Sequence, residues 1–436
     1  MSEQPEQADP SGAETPKTAP SSDRNPAAQP ETVTSGNDKA SEEPETANST
    51  TSKPASDDKA SEEREPASSK ASKPASAGDD EPAEDPEAPK PPDRLLHLRW
   101  DLDKTYLRTE FDSLKDLYRT FRQRAEDKVS IAGARTLLRE LVEPRGDVLR
   151  RVTFISGSPN QMRKVLTRKL ALDGIEPDVF ILKPNLSNLL RGRFRALRGQ
   201  VGYKLKALLH SHMAARQVDE YLFGDDAEQD AFVYSLYGDM VAGRVDGTAL
   251  AAILNIARVY RRDVDEIMAL HSKLYNTGDV VRRILIHLEA RSPLDRFTPY
   301  GGRVVPIYNY FQAALLLAEA GLIEMPAARR VVDAMGAAGY TPARLASSIQ
   351  DLMRRGVLVQ ETVKTLENEL SGADSISGRP PSLFIRKFEE VISGMQTVAR
   401  PCPANNPEIN YIGLFHAARF RRTRHRLLGT GIRILD

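Results

Sequence analysis

Residues 95–107, LLHLRWDLDKTYL, place two aspartates directly after an apolar alternation. The leucines and the tryptophan alternate with polar residues, and this period of two predicts a strand. Asp101 and Asp103 follow two positions apart, so in extended backbone their carboxylates lie on the same side. On its own, such a pair could be an ordinary turn at a strand end. Its meaning depends on what the rest of the chain brings to the same place.

The chain downstream alternates short apolar runs with segments of helical spacing. Two segments have helical spacing, GARTLLRELVE (133–143) and GYKLKALLHSHMA (202–214). Three short apolar runs predict strands, RVTFISGSP (151–159), PDVFIL (177–182) and EYLFGDD (220–226). Strands that alternate with helices predict an α/β fold with a doubly wound, Rossmann-like parallel sheet. VVRRILIHLE (280–289) could add a further strand.

Polar residues follow three of these predicted strands. They are Asp101 and Asp103 after the first strand, Ser156 after the second, and Asp225 and Asp226 after a later one. In doubly wound sheets, ligands bind beyond the carboxyl ends of the strands. We therefore expect the three clusters to converge in one cleft.

The charge distribution separates a tail from the rest of the chain. Residues 1–93 carry 22 acidic and 9 basic residues, whereas the whole chain balances 61 against 61. This segment cannot bury enough apolar surface to offset its chain entropy, so we expect a disordered, acidic, low-complexity tail. It could act as a solvating spacer or mask a basic surface. Residues 94–300 would then form the α/β domain, and residues 301–436 a mainly helical C-terminal region of unknown role.

Other features limit the class of protein. Cys402 is the one cysteine, which excludes a disulfide framework or a thiolate metal cluster. The first residues lack the basic and apolar regions of a secretory signal, and the apolar runs are too short and interrupted to span a bilayer. We therefore expect a cytoplasmic protein.

The clustered residue types suit phosphoryl transfer through an enzyme carboxylate. That reaction needs a nucleophile, an acid and base, a divalent cation, a phosphate contact and a lysine that offsets negative charge. Asp101 and Asp103 can divide the roles of nucleophile and general acid. Asp225 offers the oxygen ligand that Mg²⁺ prefers. Ser156 offers a hydroxyl, and Lys204 a cation at the beginning of a helix that faces the cleft.

The order and spacing of these residues resembles the haloacid dehalogenase (HAD) superfamily of aspartate-nucleophile phosphohydrolases. Its four motifs are matched by DLDKT (101–105), FISGSP (154–159), Lys204 and GDDAEQD (224–230). Within the superfamily, the chain is most similar to the catalytic domain of the actin-patch type of phosphatidate phosphatase. That group shares a Ser-x-Ser-Pro second motif, a lysine well before the fourth motif and an acidic G-D-x-x-x-x-D loop. The resemblance extends from about residue 95 to residue 243.

This resemblance implies a mechanism and a set of site residues. Asp101 would attack phosphorus and become an aspartyl-phosphate, and Asp103 would protonate the leaving oxygen and then activate water. Mg²⁺ would be the cofactor and a phosphomonoester the substrate, with phosphatidate or a related anionic lipid as the nearest candidate. The implied residues are catalytic Asp101, Asp103 and Lys204; phosphate-binding Thr105, Ser156 and Gly157; and metal-binding Asp101, Asp103, Asp225 and Asp226.

Two assignments stay open within the motifs. Lys206 lies two positions from Lys204, and the segment that holds both could be a solvated helix face. Asp226 or Asp230 could bind the metal directly or through water, or could stabilise a loop.

The chain also departs from the subfamily in its first motif. Lys104 stands where a third acidic residue is usual. His97 and Arg99 interrupt a first strand that is otherwise apolar in the subfamily.

Other functions are compatible with parts of the chain. A catalytically idle phosphatase-like scaffold could bind partners through its helical C-terminal region. Residues 343–358 loosely suggest a helix-turn-helix, although nucleic acid is a disfavoured partner. The basic run ARFRRTRHR (418–426) and the basic, apolar interval 183–202 indicate peripheral contact with an anionic membrane, or a solvated surface.

Overall fold

The computed structural model describes residues 94–109, 123–146, 148–183, 193–214, 218–372, 382–395 and 408–417. For residues 94 and 193–199 only the backbone is described. The predicted acidic tail, Cys402 and the basic run at 418–426 lie outside these residues.

The described strands form one six-stranded, all-parallel sheet with the order β3-β2-β1-β4-β5-β6. This order confirms the predicted doubly wound, Rossmann-like α/β fold. The strands are β1 Arg94–Asp101, β2 Val148–Pro159, β3 Val179–Lys183, β4 Val218–Asp225, β5 Val281–His287 and β6 Val304–Ile307.

Helices connect the strands and continue after the last one. The helices up to β5 are α1 Ala134–Val142, α2 Arg163–Leu172, α3 Arg193–Met213, α4 Asp230–Val241, α5 Gly247–Ile256 and α6 Arg261–His271. The later helices are α7 Tyr310–Glu319, α8 Met325–Ala337, α9 Pro342–Arg354, α10 Gln360–Ser371 and α11 Leu383–Ser393. A further short helix covers residues 411–417. Among the described helices, none is both long enough and apolar enough to cross a bilayer.

Each face of the sheet carries its own apolar cluster, because side chains alternate along a strand. Leu98 and Trp100 of β1 pack with α1, α2 and the helices after β6. The opposite face is covered by α3, α4, α5 and α6. Arg99 and Asp101 alternate with the first pair, so their side chains point toward this second set of helices. The strand thereby directs Asp101 toward α3 and α4.

The strand order reverses beside β1, which pairs with β2 on one side and β4 on the other. In register, Trp100 lies opposite Phe223, and the two rings stack with centroids 3.9 Å apart. Asp101 follows the first ring, and Asp225 ends β4 two residues after the second. The acidic ends of β1 and β4 therefore meet where doubly wound sheets bind ligands.

The polar residues that interrupt β1 are buried and paired with neighbouring strands. Arg99 donates two hydrogen bonds of 2.9 Å to Glu220 on β4, and the Tyr237 hydroxyl donates to the same carboxylate. His97 Nε2 lies 2.8 Å from Thr153 Oγ1 on β2. Burial would raise the pKa of Glu220, but the Arg99 charge lowers it to about 2. Burial lowers the pKa of His97 to about 3. These contacts fasten β1 to both of its neighbours.

The second half of the sheet extends past the region of the four motifs. β5 confirms the further strand predicted within residues 280–289. The predicted division at residue 300 stays a prediction. β6 lies on its far side and pairs with β5, and Phe311 of α7 belongs to the same apolar cluster as Trp100.

Candidate active site

Asp101 ends β1, and its side chain is completely buried. Its Oδ1 lies 2.9 Å from Lys204 Nζ. Its Oδ2 has no hydrogen-bond partner among the described residues. Burial raises the pKa of Asp101 well above its usual value, against the opposing charge of Lys204. One oxygen of this carboxylate is thus fixed, and the other is left to bind a ligand.

The Lys204 ammonium lies among three carboxylates. It pairs with Asp101, with Glu228 at 2.8 Å, and with Asp230. Lys204 lies in the middle of α3, so the prediction that it begins the helix is wrong. Burial would lower the pKa of Lys204, but the three carboxylates together raise it well above its usual value. The three carboxylates therefore favour the charged form of this lysine.

Lys206 lies on a different side of the same helix. Its ammonium is 2.8 Å from Asp263 and 2.9 Å from Glu266, both on α6, and its side chain is partly exposed. Two positions along a helix turn a side chain by roughly 200°. Of the two lysines, the structure therefore brings Lys204 to Asp101.

Asp103 is held by both serines of the second motif. The Ser156 and Ser158 hydroxyls donate to its Oδ2 at 2.7 and 2.8 Å. The Ser158 amide also donates to Ser156 Oγ at 2.9 Å. Burial raises the pKa of Asp103, and the two serine hydrogen bonds partly offset this rise. The Ser156 hydroxyl, which we expected to contact phosphate, thus binds the second aspartate here.

The turn after Asp103 is fixed by residues from distant parts of the chain. Lys104 has a φ of 62°, a left-handed conformation that is uncommon outside glycine. Its carbonyl accepts a hydrogen bond of 3.2 Å from His287 at the end of β5. The Thr105 carbonyl accepts one from the Tyr310 hydroxyl on α7. The Thr105 side chain is buried, and its hydroxyl has no hydrogen-bond partner in the described part of the chain.

The fourth motif folds back so that Asp230 lies against Gly224. A Cβ on Gly224 would lie 2.5 Å from Asp230 Cβ and Oδ2, which explains why this position needs glycine. The Asp225 amide donates to Asp230 Oδ2 at 3.2 Å. Asp230 Oδ1 pairs with Lys204. Asp230 therefore joins the end of β4 to the lysine on α3.

Asp225 ends β4 with one oxygen satisfied and the other not. Its Oδ1 accepts the amides of Ala227 at 2.7 Å and Glu228 at 3.0 Å. Its Oδ2 is buried and has no hydrogen-bond partner among the described residues. Burial, with the nearby charges of Asp230 and Glu228, raises the pKa of Asp225 well above its usual value.

Asp226 uses both carboxylate oxygens to hold the loop after β5. The Ala290 amide donates to Oδ1 at 2.6 Å, and the Ser292 amide donates to Oδ2 at 2.7 Å. Of the roles left open for Asp226, these bonds favour stabilisation of the loop.

Two groups of carboxylate oxygens at this end of the sheet are candidate metal ligands. One oxygen each from Asp101, Glu228 and Asp230 lie within 4.8 Å of one another, which suits a cation. The Lys204 ammonium already pairs with all three. In the described part of the chain, the buried Oδ2 atoms of Asp101 and Asp225 instead have no hydrogen-bond partner. Carboxylate oxygens are ligands that Mg²⁺ prefers, so the residue types present fit a divalent ion.

The structure brings most of the predicted residues together at the carboxyl ends of the strands, and it adds two residues to the site. Gly157 lies beside α3, where a Cβ would be 3.3 Å from Gln200 Nε2. Ser158 and Glu228 were not predicted as site residues. Both lie inside the quoted motifs, and the repeated serine in SGSP and the acid in GDDAEQD were available signals.

The chain was compared with known proteins. No curated protein and no solved structure matches it significantly. A family model described as the catalytic domain of phosphatidate phosphatase APP1 matches residues 100–250. That segment begins at the last residues of β1 and contains all four motifs. The resemblance to the phosphatidate phosphatase catalytic domain is therefore confirmed over residues 100–250.

Proposed function

We propose that the chain is a Mg²⁺-dependent phosphatase that hydrolyses phosphatidate or a related phosphomonoester through an aspartyl-phosphate. Asp101 is the main support. It is a buried carboxylate at the carboxyl end of a central strand, with one oxygen on Lys204 and the other without a hydrogen-bond partner among the described residues. The family match supports phosphatidate as the substrate. The HAD-type mechanism follows from the motif resemblance.

In the first proposed step, a carboxylate oxygen of Asp101 attacks phosphorus. The bond between phosphorus and the ester oxygen breaks, and Asp103 gives its proton to that oxygen. The Lys204 charge favours the ionised, nucleophilic form of Asp101 against the effect of burial. Burial of Asp103 favours the protonated form that an acid needs.

In the second proposed step, Asp103 takes a proton from water. The water oxygen attacks phosphorus, and the bond from phosphorus to Asp101 breaks to release inorganic phosphate. Because Ser156 and Ser158 both donate to Oδ2 of Asp103, its Oδ1 is the oxygen available to carry the transferred proton. The serines thus orient the acid and base.

Metal binding is proposed at Asp101, Asp225 and the Asp103 carbonyl. A bound Mg²⁺ would offset the negative charge of the phosphoryl group. Asp226 would act indirectly, by holding the loop after β5 beside Asp225. Peripheral membrane contact and a cytoplasmic location stay predictions of the sequence.

The test measures phosphate release from phosphatidate vesicles and from an aryl phosphate, with Mg²⁺ and with a chelator. We expect Mg²⁺-dependent release that Asp101→Asn abolishes. Asp265→Asn is the matched control, because Asp265 is an exposed aspartate on α6. Full activity of Asp101→Asn would refute the mechanism. An inactive wild type across lipid, sugar, nucleotide and phosphopeptide substrates would favour the idle scaffold.

A further inference from the structure

Lys183 ends β3 beside the second motif. In the sheet register it lies opposite Pro159, three residues after Ser156. Its side chain is half-buried, and its described contact is with the ring of Tyr203, whose centroid is 5.9 Å from Nζ. No ion pair joins Lys183 to a carboxylate among the described residues. A partly desolvated ammonium with no ion pair is unfavourable unless a ligand supplies an anion.

Tyr203 presents a second unsatisfied group on the same side of the site. It precedes Lys204 on α3, and its hydroxyl oxygen is buried without a hydrogen-bond partner in the described part of the chain. One turn earlier on the helix, Gln200 lies against Gly157 of the second motif. The Tyr203 hydroxyl therefore lies on the same side of the site as Lys183.

The charge of the site calls for another cation. A phosphomonoester carries about −1.5 to −2 charges at neutral pH. Lys204 already pairs with three carboxylates, and Asp225, as a proposed metal ligand, would add a fourth. Among the described residues, Lys183 is a cation on the β3 side that forms no ion pair with these carboxylates.

We propose that Lys183 and Tyr203 form a subsite for the phosphate dianion of the substrate. The ammonium and the phenolic hydroxyl both donate to non-bridging phosphate oxygens. This assignment rests on the proposed function. It also gives a role to the beginning of the basic interval 183–202, whose residues 184–192 lie outside those described.

The electrostatics of the two groups supports the assignment. Burial lowers the pKa of Lys183, and the Glu228 charge only partly restores it. Burial raises the pKa of Tyr203, so its hydroxyl keeps its proton as a donor. Inorganic phosphate and a lipid head group share the dianion that these donors would recognise.

The test compares Lys183→Met and Tyr203→Phe with Lys164→Met in the full-length chain. Lys164 is an exposed lysine on α2 and serves as the matched control. Inorganic phosphate is the probe, measured by calorimetric titration with Mg²⁺ present and as a competitive inhibitor of aryl phosphate hydrolysis. Thermal unfolding checks that each variant is folded, and Lys183→Gln replaces Lys183→Met if the latter unfolds.

We expect phosphate to bind at least about tenfold more weakly to Lys183→Met, and several-fold more weakly to Tyr203→Phe, as charged and neutral hydrogen bonds differ. Lys164→Met should bind as the wild type does. Unchanged phosphate affinity in folded Lys183→Met overturns the subsite. This holds even if the variant loses activity on phosphatidate vesicles. Phosphate binding can be measured without turnover, so an inactive wild type refutes the proposed function separately.

Discussion

Replacing Glu220 with glutamine removes a buried negative charge and leaves the shape of the side chain unchanged. Glu220 is completely buried between β1 and α4 and accepts two 2.9 Å hydrogen bonds from Arg99. Its pKa is about 2 in the folded chain, against ~4.3 for an unperturbed glutamate. At ~1.4 kcal/mol per pKa unit, this difference corresponds to about 3 kcal/mol of stability at neutral pH.

The sign follows from the lower pKa in the folded state. The contribution of Glu220 is complete above the pKa of the unfolded chain and is lost as the pH falls toward 2. About 2 kcal/mol of it should be lost by pH 3 in the wild type, whereas Glu220→Gln has no such group to titrate. We therefore expect the variant to be less stable by about 3 kcal/mol at pH 7 and by about 1 kcal/mol at pH 3.

Urea unfolding followed by the fluorescence of Trp100 measures this gap. Trp100 is the single tryptophan, and it is buried on β1 next to Arg99. Glu266→Gln is the control, because the partly exposed pair of Glu266 with Lys206 should contribute less than about 1 kcal/mol. A gap below about 1 kcal/mol at pH 7, or equal gaps at pH 7 and pH 3, would refute the reasoning.

Three other substitutions probe the site. Gly224→Ala should lower phosphatase activity by about a hundredfold in a folded protein, because the new Cβ displaces Asp230. Steady-state kinetics measures the activity, and circular dichroism checks the fold. Ser158→Ala removes one of two hydroxyl donors to Asp103 and should slow alkyl phosphates about tenfold, and more than aryl phosphates, whose leaving groups need no acid; an unchanged rate with alkyl phosphates contradicts an orienting role. Lys204→Met leaves three carboxylates without their shared cation and should lower the free energy of unfolding by about 3–5 kcal/mol. A thermal melt measures this loss, and wild-type stability would contradict it.

The central strands could be predicted because each is an apolar run that stops at a turn or an acid. β6 could not, because VVPI is only four residues long and contains a proline. Proline is tolerated there because β6 is the edge strand, and an edge strand can lack one amide donor. The pattern of a single segment does not reveal which strand lies at the edge.

The residue types of the site could be predicted more fully than their partners. Arg99 and Glu220 are 121 positions apart, so nothing local in either segment indicates that the two charges meet. Lys204 and Lys206 have the same chemistry, and only the packing of α3 determines which one faces Asp101. Ser156 belongs to the motif that was recognised, but the bond from its hydroxyl to Asp103 depends on the register of β2 beside β1.

The strand order has a consequence for how the chain can be divided. A fragment limited to residues 100–250 would keep β2, β3 and β4 but not β5 and β6, and it would lose most of β1. β4 would become an edge with unpaired backbone groups, and β2 and β4 would lose the strand that joins them. We expect such a fragment to aggregate. The smallest soluble unit that keeps the site should therefore begin before β1 and continue past β6.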